Sequence, residues 1–175
     1  MEAHDAELFL ALTNRRRNKK GELVIGITYS DLIKSTENDF ETIKTSLDSI
    51  QEYIEPLGLT IVNVDFKGEK HFAIVSVFPS PSELTEDLLS LLGLIISISE
   101  EKDNACKPVD LKYLKKTVLD NNYLNSNQLE KGIKQLVNLG YIIKNPSSIE
   151  YNIRLLLEYP KEIRQKIAIE AKLIL

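Results

Sequence analysis

The sequence predicts a helix-rich α+β chain built from two tandem copies of one small unit, and three observations predict it. Amphipathic helical stretches and short β-prone runs follow one another in an order that occurs twice. The segment Leu57-Gly58-Leu59-Thr60-Ile61-Val62-Asn63 matches Leu139-Gly140-Tyr141-Ile142-Ile143-Lys144-Asn145, with Leu, Gly, Ile and Asn coinciding at an offset of 82 (58 to 140). Between the copies, Pro79-Ser80-Pro81-Ser82 blocks both helix and ladder. The 175 residues therefore divide into a domain over 1–79 and a second over 80–175. Each is near the size that just holds its own core.

In the first copy, residues 6–17 form a helix with Leu8, Phe9, Ala11 and Leu12 on one side, closed by Arg15-Arg16-Arg17-Asn18-Lys19-Lys20 and Gly21. Leu23 to Ile27 is a short β-prone run. A short helix follows, capped by Thr28 or Ser30, with Leu32 and Ile33 inward. Asn38 then opens a longer helix with Glu41 in the capping-box position. Its apolar residues Phe40, Ile43, Leu47, Ile50, Ile54 and Leu57 step by three and four and paint one stripe. Pro56 and Gly58 end it. Residues 59–66 alternate as a strand, Lys67 to Lys70 turn, and residues 72–78 return as the second arm of a hairpin.

The second copy opens with an apolar helix, residues 84–99, expected to pack against both domains or against a partner through Leu88, Leu91, Leu92 and Ile95. An extended piece, residues 106–109, leads to a helix capped by Asp110 with Leu111, Leu114 and Val118 inward. Asn125, with Gln128 in the box position, opens another helix that buries Leu129, Ile133, Leu136 and Val137 and ends at Gly140. Residues 141–143 form a strand, 145–148 a turn and 149–153 a return strand. A last helix runs from Pro160 through Ile163, Ile167 and Leu173. Helix, short strand, helix, helix, strand, turn, strand is the order of a winged helix.

Composition narrows the function. One cysteine, Cys106, makes neither an internal disulfide nor a cysteine-rich zinc site, and reads as a small buried hydrophobe in a reducing compartment. The two histidines, His4 and His71, are far apart. No phosphate-binding loop, dinucleotide fingerprint, nucleophile elbow or zinc signature occurs, so the expectation is a protein without catalytic residues, metal or cofactor. The longest apolar run, residues 88–98, is about half the length needed to cross a bilayer, and no membrane role is expected.

Charge bears on nucleic-acid binding, the usual work of a winged helix. The net charge is −4, and residues 1–80 hold 9 basic and 13 acidic side chains against 13 and 13 in the rest. The third helix of the first copy, the element that would enter a major groove, carries Asp39, Glu41, Asp48, Glu52 and Glu55 against Lys44. Phosphates repel such a helix. The equivalent helix of the second copy offers Lys131 and Lys134, with Lys112, Lys115 and Lys116 on the helix before it. The run of Arg15, Arg16, Arg17, Lys19 and Lys20 is a candidate for sequence-independent phosphate contact, or else a solvated helix end whose cations the dipole favours.

The stretch from Phe40 to Ser76 resembles the first winged helix of kite proteins, the tandem winged-helix partners of SMC–kleisin complexes. The matching residues are Leu57, Gly58, Leu59, Ile61, Val62, Phe72, Ala73, Ile74 and Val75. In the second half, Leu84-Thr85-Glu86 and residues 136–142 resemble the corresponding parts of the family's second unit. Within the family the chain is most similar to ScpB and to the eukaryotic Nse kite subunits, without the RING domain one of them carries. The resemblance implies a non-catalytic scaffold that forms a homo- or heterodimer with another kite protein, embraces the central segment of a kleisin and bridges SMC subunits, with weak non-specific DNA contact in some members. It implies chromosome segregation or DNA repair, in the nucleoid-associated cytoplasm of a prokaryote or in a nucleus. Two further expectations stand beside it: a winged-helix transcription regulator, and a tandem winged-helix adaptor of the ESCRT-II kind.

Overall fold

The computed structural model describes residues 3–36, 39–77, 83–100, 106–121 and 123–172. The chain divides into two compact units, residues 1–18 with 23–81 and residues 82–175 with 19–22. The proline–serine segment placed at the domain boundary lies outside the described residues.

In the first unit, α1 (Ala3–Thr13) is followed by β1 (Arg15–Arg17), β2 (Leu23–Ile25), β3 (Ile27–Thr28), α2 (Tyr29–Thr36), α3 (Phe40–Ile54), a 3-10 turn (Glu55–Leu57), β4 (Leu59–Phe66) and β5 (Glu69–Ser76). The expected first helix is thus too long. It stops at Thr13, and the arginines form a strand paired antiparallel with β2. Gly26 separates β2 from β3: its φ is +72°, and a Cβ there would stand 2.2 Å from the Phe72 carbonyl oxygen. Only glycine lets the two backbones approach this closely while the chain turns. Thr28 caps α2, its hydroxyl accepting from the Asp31 N–H at 3.0 Å. Asp39, not Asn38, caps α3, its carboxylate accepting from the Thr42 N–H at 2.9 Å.

The apolar stripe of α3 holds at Ile43, Ile50 and Ile54 but fails at Leu57, which the 3-10 turn swings outward to 66% exposure. Ile33, expected inside, is exposed as well. Gly58 takes φ +71°, the left-handed conformation that ends a helix. Strands β4 and β5 are joined by a two-residue turn, Lys67-Gly68, both at positive φ, as the twist of a tight hairpin favours. Leu8, Leu12, Ile27, Leu32, Ile50, Ile54 and Phe72 form the core.

In the second unit the order is α4 (Glu86–Ser99), β6 (Val109–Asp110), α5 (Leu111–Asp120), α6 (Ser126–Asn138), β7 (Ile142–Lys144), β8 (Ser148–Tyr151), α7 (Ile153–Glu158) and α8 (Lys161–Lys172). Asp110 caps α5, and Asn125 with Gln128 completes the capping box of α6. Gly140 takes φ +78° where Gly58 takes its own in the first unit. The return strand expected over 149–153 ends at Tyr151, and Ile153 opens α7. Asn152 instead turns the chain, its side-chain oxygen accepting from the Ile153 N–H at 2.8 Å.

The two units share one topology. Elements α1, β3, α2, α3, β4 and β5 correspond in order to α4, β6, α5, α6, β7 and β8. The sheets run β3-β5-β4 and β6-β8-β7, antiparallel in every pairing. This is the winged-helix arrangement, twice over. To it the first unit adds the β1–β2 hairpin, and the second adds α7 and α8 after its wing. No helix among the described residues is long and apolar enough to cross a membrane.

Candidate interaction surfaces

Helix α4 is apolar on nearly every side because its own unit covers it. Helix α6 lies against one face so closely that a Cβ on Gly132 would meet Leu91 at 2.8 Å. Helix α8 lies against another, with Ile167 near Gly93. Leu88, Leu91, Leu92 and Ile95 are consequently buried, at 6%, 2%, 1% and 0% exposure. This corrects their assignment to a partner: burying each inside the second unit already contributes roughly 1.5–3 kcal/mol to that unit's own stability. Leu89 is the large apolar side chain that α4 leaves exposed.

Two buried arginines organise the added C-terminal helices. Arg154 of α7 lies 4.3 Å from the Tyr141 ring centroid. Its Nε donates to Glu158 at 2.7 Å, and its Nη1 donates to the Leu139 carbonyl at 3.0 Å and reaches Glu83 at 3.3 Å. The Tyr141 hydroxyl donates to the same Glu158 at 2.7 Å. Burial first, then the Glu158 carboxylate, hold the Tyr141 phenol far above its ordinary range. Arg164 of α8 donates from Nε to Glu100 at 2.7 Å and from Nη1 to the Tyr159 carbonyl at 2.8 Å. Burial alone would make both guanidiniums easier to deprotonate, but their carboxylate partners more than offset it.

Cys106 is exposed rather than buried, with its sulfur 3.3 Å from Nη2 of Arg164. Desolvation raises the thiol above its usual range against the pull of that arginine, which disfavours the reactive thiolate. His71 is half-buried on β5, its ring edge-on to Phe66, and desolvation holds its pKa below the usual imidazole value. Among the described residues, no group of three or more His, Cys, Asp or Glu side chains is placed to hold a metal ion.

What remains exposed is a set of acidic, apolar and basic patches. On α3, Glu41, Asp48 and Glu52 all face solvent together with Lys44. At the far end of that helix, Tyr53 and Leu57 are more than half exposed, as is Val77, whose N–H donates to the Gly58 carbonyl at 2.9 Å. These three gather at the junction of α3 with the base of the hairpin. The sequence hid them, because Leu57 continues the helical stripe in register and only the 3-10 turn rotates it away. In the second unit, a cleft of about 420 Å³ opens between α4 and α8, walled by Leu91, Leu94, Val118, Leu124 and Ile167.

The cationic candidates fall on different elements. Lys131 and Lys134 are exposed on α6. Arg15, Arg16 and Arg17 are exposed along β1, and Lys19 and Lys20 are exposed in the turn that follows. Arg16 reaches Asp31 at 3.7 Å, an exposed pair that contributes little.

The fold defines a class: an α+β protein of two tandem winged-helix-like units. No family model and no curated protein matches the sequence. Among solved structures, a chain of the Nse1-Nse3-Nse4 complex has a similar fold, with a TM-score of 0.68 and 13% identity over 95% of this chain and 75% of that one.

Proposed function

We propose that this chain is a non-catalytic kite subunit of an SMC–kleisin complex, which dimerises and binds the central segment of a kleisin. The observation that carries this reading is the fold likeness to a chain of the Nse1-Nse3-Nse4 complex, which runs through both winged-helix units and covers 95% of the chain. The electrostatics of α3 support it. A winged helix that reads DNA presents donors and cations on its third helix, whereas α3 presents exposed Glu41, Asp48 and Glu52. The exposed Tyr53, Leu57 and Val77 beside it supply an aromatic and aliphatic anchor of the kind protein interfaces use.

The test is light scattering of the purified chain, followed by titration with the central segment of a kleisin from the same organism. A dimer that captures the segment in fixed stoichiometry is the expected outcome. A monomer that binds no kleisin segment overturns the reading.

A further inference from the structure

From Leu88 to Ile98, helix α4 is leucine or isoleucine except at Ser90, Gly93 and Ser97. Glycine inside a helix is destabilising relative to alanine, so Gly93 calls for a reason. Neither usual reason applies. Its φ is not positive. A Cβ on it would meet Ile167 Cγ2 at 3.9 Å, an ordinary van der Waals contact. The contrast is Gly132, where a Cβ would be pressed to 2.8 Å from Leu91. What the missing side chain leaves at position 93 is space, and that space belongs to the cleft of about 420 Å³ between α4 and α8.

We propose that this cleft is a binding site for a small organic amine, a protonated amino group carried on an apolar body. Its size lies within the range of clefts that take up small organic ligands, about 300–1,000 Å³. Its aliphatic walls suit the apolar body. The polar groups that line it, Asp87, Ser90, Tyr123 and Glu170, are all exposed and so stand at its mouth. Among the described residues, no basic side chain lines it. Two carboxylates without a cation between them attract a positive head group and repel a negative one. The face of the Tyr123 ring adds to that attraction, and the Ser90 hydroxyl accepts from an ammonium. An alkylamine keeps its proton at neutral pH, as lysine does with a pKa of about 10.4. A fatty acid would fit the walls and fail at the mouth. The cleft lies wholly within the second unit, and the inference does not depend on the kite reading.

The test is a titration of the isotope-labelled full chain with octylammonium, read by backbone amide shifts, with octanoate and octanol as anionic and neutral controls. Octylammonium should shift Ser90, Gly93 and Leu124 and saturate with a Kd on the order of 1 mM or below. Octanoate should bind at least on the order of tenfold more weakly. Asp87→Asn with Glu170→Gln should weaken the amine on the order of fivefold and leave octanol unchanged. Gly93→Leu, which fills the space, should abolish binding of amine and alcohol alike. Gly93→Ala should raise the thermal midpoint while weakening binding. Thermal melts of all variants check folding, and the exposed carboxylate pair keeps the test decisive if Gly93→Leu unfolds the unit.

The proposal is overturned if octanoate binds as tightly as the amine, if the shifts map away from the cleft or are absent up to about 10 mM amine, or if neutralising Asp87 and Glu170 leaves the amine's affinity unaltered. Shifts at the same residues that grow with protein concentration alone would assign the cleft to a second copy. Binding seen only after deletion of residues 173–175 would assign it to that segment, and tighter binding of a leucine-rich peptide lacking lysine and arginine would assign it to a protein partner. Each of these overturns the proposal as well.

Discussion

The two units follow the same path through space with different means of holding it. The first packs a smaller aliphatic and aromatic cluster, with Leu8, Leu32, Ile50 and Ile54 almost wholly buried, and also buries Asp5 and Ser46. The second packs a larger apolar cluster and adds two guanidiniums, Arg154 and Arg164, each buried against a carboxylate. The chain has five arginines: three line the exposed hairpin of the first unit and these two lie inside the second. One side-chain type thus serves two opposite ends, desolvated structural pairing and solvent-facing charge. The fold, rather than the composition, assigns which.

The largest way to break this comparison is Arg164→Ala. Glu100, whose side chain is 1% exposed, would be left as an uncompensated buried charge, at a cost of about 3–5 kcal/mol. Hydrogen exchange should show the second unit opening while the first stays protected. The pair Arg164→Met with Glu100→Gln should recover most of the loss. Equal loosening of both units would mean that the ion pair is not what distinguishes them.

Next in size is Gly26→Ala, which acts on the first unit. A positive φ and a Cβ pressed 2.2 Å from the Phe72 carbonyl oxygen make this change cost about 2–4 kcal/mol. Chemical denaturation should register it, with protection lost first in β3 and β5. An unchanged denaturation midpoint would show that the hairpin can detach from the winged sheet without cost.

A smaller difference separates the two third helices. Asp39 caps α3, while Asn125 caps α6. The Asp39 carboxylate accepts the Thr42 N–H, which holds its pKa below the ordinary 3.8. A lowered folded pKa means the cap's contribution is present in full above about 3.8 and disappears as pH falls through the folded value. Amide exchange measured from about pH 5 to about pH 2 should therefore show the first turn of α3 losing protection while that of α6 does not. Asp39→Asn should abolish the difference.

Smallest of all is Leu57→Ser. The residue is 66% exposed, so stability should change by less than about 0.5 kcal/mol. Capture of a kleisin segment or dimer formation should nevertheless weaken if Tyr53, Leu57 and Val77 form a contact. A large loss of stability would return Leu57 to the core, where its helical spacing placed it.

The repeat was legible because it is written in local chemistry. Gly58 and Gly140 mark the same helix-to-strand turn, Asn125 and Gln128 spell a capping box, and Lys67-Gly68 marks a tight hairpin. Less was legible where two local signals compete. Arginine is a good helix former, so nothing in Arg15-Arg16-Arg17 opposes continuing α1; the pairing with Leu23-Val24-Ile25 that wins is a cross-strand contact. The surfaces were the least legible. Leu88, Leu91, Leu92 and Ile95 looked like a sticky face, and whether an apolar face is sticky or filled depends on what else packs there.

The sequence by itself determined the two winged-helix units, their order of elements and the acidic character of α3, because periodicity, capping and turn chemistry act over a few residues. Only the tertiary structure decided which charges are buried and which are offered to solvent. It placed Arg164 beside Glu100, 64 positions apart, and laid α8 over α4. Burial is a property of neighbours distant in the chain, and pairing a charge out of water requires both partners to arrive at one place.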